Sequence, residues 1–182
     1  QPVLTLQEQT RIRMEKIEKL KEKGVEPFGS RFEVKDKICD IKRLYTDVEK
    51  EELEAKGVVA TVAGRIITKR DMGKIAFCNL QDRDGNIQIY IRKDVIGEEA
   101  YSIFKLSDLG DIIGVTGDVM KTNTGELSIK VSEYTHLTKA LRPLPEKYHG
   151  LQDVEERYRR RYVDLIVNEQ SRKTAIARTR IV

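Results

Sequence analysis

The run KIAFCNLQDRDGNIQIYIR, residues 74–92, fits two short strands around a tight turn. Its second half alternates Ile87, Ile89 and Ile91 with Gln88, Tyr90 and Arg92. A period of two sends the isoleucines to one face of a sheet and turns Gln88 to the other. In the first half Ala76, Cys78 and Leu80 form the matching core set, which leaves Phe77 and Asn79 facing outward. A phenylalanine on the wet face of a sheet predicts a platform on which a flat ligand stacks. Asp84-Gly85 at the centre is expected to supply the positive-φ backbone of a hairpin turn.

The same alternation predicts strands over 58–69, 75–81, 87–92, 112–121 and 127–137, with a short helix within 94–106. Three strands, a helix, then two strands is the order of the five-stranded OB barrel, whose second and third strands bind oligonucleotides or oligosaccharides. In the fifth strand Leu127, Ile129 and Val131 face inward, so Glu126, Ser128, Lys130 and Ser132 face outward. Upstream, Thr5-Leu6-Gln7-Glu8 is a capping box that opens a basic amphipathic helix, with Gly24 as its stop. An irregular stretch over 24–36 and a short acidic helix over 47–56 follow. Downstream, LRPLPEKYHG (141–150) has the prolines and terminal glycine of a connector. Residues 153–182 read as one or two basic helices. The expected fold is mainly β with flanking helices: a helical segment over 1–56, the barrel over 57–140, a linker over 141–152 and the start of a second domain over 153–182.

Composition narrows the chemistry. Of 182 residues 39% are hydrophobic, enough for a core, and 35% are charged, with a net charge of +4 that leans towards a polyanionic partner. Cys39 and Cys78 lie far apart, with no Cys/His spacing suited to zinc, so neither a disulfide framework nor a metal site is expected. His136 and His149 are isolated and read as structural or surface residues. No apolar run approaches the roughly 20 residues of a membrane span, and no leader precedes the first helix, so a soluble, cytoplasmic protein with no membrane partner is expected. The chain has no initiator Met and stops at Arg180-Ile181-Val182 in a helical pattern, so it reads as a piece of something longer.

Unpaired bases are read by stacking on aromatic rings and by hydrogen bonds to their edges. Phe77 offers the ring. Gln88 offers one acceptor and two donor hydrogens, which suits the mixed edge of a pyrimidine. Arg70, where the first strand turns, donates to a carbonyl or a phosphate, and Glu126 accepts only. Arg157, Arg159, Arg160 and Arg161 are candidates for backbone phosphates, balanced against pairing with Asp153, Glu155 and Glu156 on the same helix.

The stretch RDMGKIAFCNLQDRDGNIQIY resembles the anticodon-binding barrel of the class II synthetases for lysine, aspartate and asparagine, whose anticodons share a central U. The resemblance implies that Phe77 stacks on that base, that Gln88 and Arg70 hydrogen-bond it, and that Glu126, in TNTGELSI, helps read the anticodon. GVEPFGSRF (24–32) and the stretch over 138–168, which includes Tyr148-His149-Gly150, are similar to the bacterial-type lysyl branch. The implied partners are lysine tRNA, through its anticodon loop, and a second copy in the full-length enzyme, with no DNA partner. ATP and Mg²⁺ are implied for that full-length enzyme, a lysine–tRNA ligase. No catalytic residue and no cofactor are expected within these residues, which would stop at the start of a truncated class II catalytic domain. Two alternatives stay open: the same region of an aspartyl or asparaginyl enzyme, and a barrel with no enzyme attached that binds single strands, oligosaccharides or proteins.

Overall fold

The computed structural model describes residues 4–29, 31–145, 151 and 153–181. They fall into two compact units, 1–142 and 143–182.

Unit one begins with α1 (Leu6–Glu22), where Thr5 and Glu8 form the reciprocal capping box. Gly24, at φ 71°, ends it in the left-handed conformation that glycine adopts without strain. Ile17 and Leu20 are buried, and Arg13 donates to the Ala140 carbonyl at 2.8 Å. Two helices follow, α2 (Ile38–Tyr45) and α3 (Lys50–Lys56). The acidic helix was expected; α2 was not. Its first N–H is capped from 44 residues away, by the Asp82 carboxylate at 3.0 Å from the Ile38 nitrogen. Its Ile38 and Ile41 join the barrel core. The packing that stabilises α2 is therefore tertiary.

The strands are β1 (Val59–Asp71), β2 (Ile75–Gln81), β3 (Asn86–Arg92), β4 (Ile112–Lys121) and β5 (Leu127–Thr138), with α4 (Lys93–Ile96) and α5 (Glu98–Lys105) between β3 and β4. They close into a barrel in the order β1-β2-β3-β5-β4. This is the expected OB fold: antiparallel pairs throughout, except for a parallel seam of three residue pairs between β3 and β5. Closure by so short a parallel seam removes the open sheet edges. The alternation holds, with Ala76, Cys78, Leu80, Ile87, Ile89 and Ile91 all buried.

Two expectations are corrected. Gly85 does not have positive φ. The β2–β3 turn is held instead by Asp82, whose Oδ1 accepts from the Asp84 and Gly85 nitrogens at 2.9 and 2.8 Å. An added Cβ at 85 would sit in ordinary contact with Ile38 of α2, at 3.4 Å. Ser128, expected outward, is fully buried. Its hydroxyl lies between the Gln88 amide at 3.0 Å and the Glu126 carbonyl at 3.3 Å.

Under α1 lies a buried polar cluster. Lys139 Nζ, with a side chain 0% exposed, donates to Asp108 at 2.6 Å and to the equally buried Asp111 at 2.7 Å. Lys16 of α1 reaches the other oxygen of Asp108, and the Asp111 carboxylate also accepts from the Ala140 and Asp108 nitrogens. Burial works to raise the Asp108 carboxyl, but the bonds from Lys139 and Lys16 hold it below the ordinary range.

His136 is also buried. Because the Pro27 carbonyl 3.3 Å from Nε2 can only accept, Nε2 carries the proton, and Nδ1 is buried with no partner among the described residues. Charging the ring would add an N–H that has nothing to bond, and burial lowers its pKa from 6.5. The unfolded chain then takes up this proton first, so the His136 contribution is complete above pH 6.5 and is lost as pH falls towards the lower folded value. Chemical unfolding from pH 7.5 down to pH ~5 should show stability declining, and His136→Gln should flatten that decline.

Unit two consists of α6 (Val154–Arg159), α7 (Arg161–Val167) and α8 (Glu169–Ile181). Three helices replace the expected one or two because Arg160, at φ −113° and ψ 54°, and Asn168, at φ −107° and ψ 107°, both leave the helical region. Asp153 caps α6 through the Glu155 and Glu156 nitrogens.

Candidate nucleic-acid interface

Strand register lays out the outward face of the barrel as two rows. Along one row Arg70 pairs with Phe77, Phe77 with Tyr90, and Tyr90 with Lys130. The second row runs Thr68, Asn79, Gln88, Ser128 and Met120. An aromatic pair flanked by two cations thus lies beside four hydrogen-bonding residues, Thr68, Asn79, Gln88 and Ser128, with Met120 at the end of their row. The Phe77 and Tyr90 rings stack, with centroids 4.9 Å apart and planes at 28°. Tyr90 covers Phe77 on one side, and both rings are half-buried.

All of the residues in the two rows except Lys130 and Ser128 line a groove of about 760 Å³. Its far side is built by the β4–β5 turn at Lys121, Thr122, Asn123 and Thr124, and by Lys50 and Glu54 of α3. Gly125, at φ 82°, allows that turn to reverse. The Thr122 hydroxyl pins it through the Glu126 nitrogen at 3.0 Å and the Thr124 hydroxyl at 2.9 Å. Lys121 Nζ donates to the Thr46 carbonyl at 2.8 Å, and Lys50 Nζ donates to Asn123 Oδ1 at 2.9 Å. Helix and turn are therefore tied together across the end of the groove.

Of the four residues singled out in the sequence, Phe77, Gln88 and Arg70 share this groove. Gln88 donates one N–H to Ser128, which leaves its carbonyl oxygen and second N–H without a partner among the described residues. Arg70 is exposed beside Phe77. Glu126 is exposed where the turn enters β5, outside the groove lining. Tyr90 belongs to the platform and was visible as an outward residue by alternation, although no role was assigned to it. Lys50, Glu54 and Asn123 carried no local signal, because folding alone brings them to the groove. Cys78, beneath Phe77, is buried, and burial pushes its thiol up to about 12, so it is inert at neutral pH.

Arg157, Arg159, Arg160 and Arg161, the four arginines considered for phosphate contacts, are all engaged within unit two. Arg157 and Arg161 converge on the buried Asp164 at 2.9 and 2.7 Å. Arg159 pairs with Glu155 and Arg160 with Glu156, one helical turn apart. Burial works to raise the Asp164 carboxyl, yet bonds from Ser171 and Arg157 keep it below its ordinary range. Tyr148 and His149 lie outside the described residues. Among the described residues no cluster of three or more His, Cys, Asp or Glu side chains is placed to hold a cation. No helix among them is long and apolar enough to cross a membrane.

Residues 60–137 match the family of tRNA anticodon-binding domains described as OB-fold nucleic acid binding domains. The chain is 54% identical over 178 residues to the lysine–tRNA ligase of Pediococcus pentosaceus, an alignment covering 98% of this chain and 36% of that protein. It is 55% identical over 177 residues to that of Bacillus subtilis, covering 97% and 36%. The Lactiplantibacillus plantarum enzyme is 53% identical over 178 residues, covering 98% and 36%. The chain thus spans little more than a third of the curated relatives it matches. The barrel belongs to the tRNA anticodon-binding OB-fold family, and the chain around it is homologous to a region of the lysine–tRNA ligases.

Proposed function

We propose that this chain reads the anticodon loop of lysine tRNA, with the central base of the anticodon added to the Phe77–Tyr90 stack. One observation carries the reading: Gln88 lines the same groove as the stacked rings, and beyond its bond to Ser128 it has a further donor and an acceptor to offer a base edge. The base lies on the face of Phe77 that Tyr90 leaves uncovered, and Gln88 checks its edge. Arg70 donates to a base carbonyl or to the neighbouring phosphate, and Lys130 offers a second cation at the other end of the row. Glu126 contributes from the rim, where the loop passes the β4–β5 turn.

In the whole protein the reaction is activation of lysine by ATP, with Mg²⁺, followed by transfer to the 3′ end of the tRNA, in a cytoplasmic homodimer. The residues of this chain supply binding energy that rejects wrong anticodons, and no chemical step is assigned to them. By itself the chain forms no lysyl adenylate.

The test is a titration of the chain against RNA stem-loops that differ only in the central anticodon base. Wild type should prefer U. Phe77→Ala should weaken the U loop by about 1–3 kcal/mol, with the thermal transition of the barrel retained because the ring is only half-buried. Affinity equal to wild type would remove Phe77 from the site, and indifference to the central base would remove anticodon reading altogether.

A further inference from the structure

The far wall of the groove has chemistry that stacking on Phe77 leaves unexplained. Lys50 and Glu54 are one helical turn apart on α3, so they share a face, and both line the groove. Lys50 reaches across to Asn123 rather than back to Glu54. None of the described residues bonds the Glu54 carboxylate or pairs with it, and the residue is exposed. An unpaired carboxylate facing a polyanion weakens binding unless it accepts a hydrogen bond from the ligand. A base edge with an N–H is the part of an RNA loop that supplies one.

We propose that Glu54 and Lys50 are specificity residues for a nucleotide next to the stacked one. Glu54 accepts the ring N–H of uracil or guanine, and Lys50, fixed by Asn123, donates to the adjacent carbonyl oxygen. Cytosine and adenine present a ring-nitrogen acceptor at that position and meet the carboxylate with two acceptors and no hydrogen between them. The wall is steady enough for this discrimination. The Lys50–Asn123 bond joins α3 to the β4–β5 turn, Lys121 ties the same turn to Thr46 at the end of α2, and Leu53, between the two readers, is wholly buried in the barrel core. The inference rests on the groove holding an anticodon loop.

The experiment uses the whole chain and stem-loops with the central U fixed, in which the 5′ or the 3′ neighbour is U or C. Wild type should favour U over C at one of the two neighbours by roughly tenfold. Glu54→Gln, which keeps the shape and removes the charge, should cut that ratio to about threefold or less. Lys50→Met should weaken the U loop and reduce the log–log salt slope if its ammonium also sits near phosphate. Each variant is measured for central-base preference in parallel. A neighbour ratio unchanged in Glu54→Gln, while Phe77→Ala still loses affinity, overturns this inference and leaves the central reading standing. If Phe77→Ala binds as wild type does, both readings fall.

Discussion

Lys139→Met should destabilise the first unit by about 3–5 kcal/mol, the cost of removing one partner from a buried charge pair. The methionine fills the space of the aliphatic stem, so the effect isolates the ammonium. Without it Asp111, fully buried, retains only backbone donors, and Asp108 retains Lys16. Three parts of the unit meet at this point: α1 through Lys16, the segment before β4 through Asp108 and Asp111, and the end of β5 through Lys139. For a chain of this size the loss corresponds to a fall of about 10–20 °C in the melting temperature. The pH dependence carries a sign. Asp108 is held below its ordinary value of 3.8, so its contribution is present above that value and is lost as pH falls through the lower folded one. Wild type should therefore weaken steeply in acid, and Lys139→Met should weaken less. A melting temperature within a few degrees of wild type would mean that the cluster is not cohesive.

Gly117→Ala should be of comparable severity, about 4 kcal/mol or more, for a steric reason. An added Cβ would lie 2.0 Å from the Lys130 carbonyl oxygen and 2.9 Å from the Val131 Cα. Both are backbone atoms of the paired strand and have no rotamer to move into. The contact occurs where the β4–β5 register shifts between Thr116 and Gly117, so relief would require the bulge to shift. Gly114→Ala provides the comparison. Its added Cβ would meet the Phe32 ring at 2.6 Å, but that ring belongs to a half-buried residue outside the strands and can swing away. Melting curves should rank Gly117→Ala far below Gly114→Ala. The reverse order would refute the steric account.

Sequence alone disclosed the barrel because each strand carries its own alternation. Ile87, Ile89 and Ile91 needed no knowledge of their neighbours to be placed inward, and Phe77 and Gln88 followed by elimination. What escaped notice depends on distant contacts. Helix α2 is capped by Asp82 and held by Ile38 and Ile41 against strands not yet formed when the sequence is read locally. The same Asp82 replaces the glycine turn that Asp84-Gly85 suggested. Ser128 obeys the alternation but is covered by Gln88, a neighbour fixed by the β3–β5 register rather than by its own segment. Lys50 and Glu54 read locally as part of an ordinary acidic helix, and only the fold carries them to the groove.

The β3–β5 seam has a consequence of its own. Its three rungs, Gln88–Ser128, Ile89–Ile129 and Tyr90–Lys130, are at once the shortest pairing in the cylinder and the place where Gln88 and Tyr90, two of the residues proposed to hold a base, are mounted. On the proposed reading, recognition and integrity of the cylinder are linked thermodynamically. A guest that seats only when these rungs are zipped must favour the zipped form, and a cylinder that breathes at this joint releases its guest first.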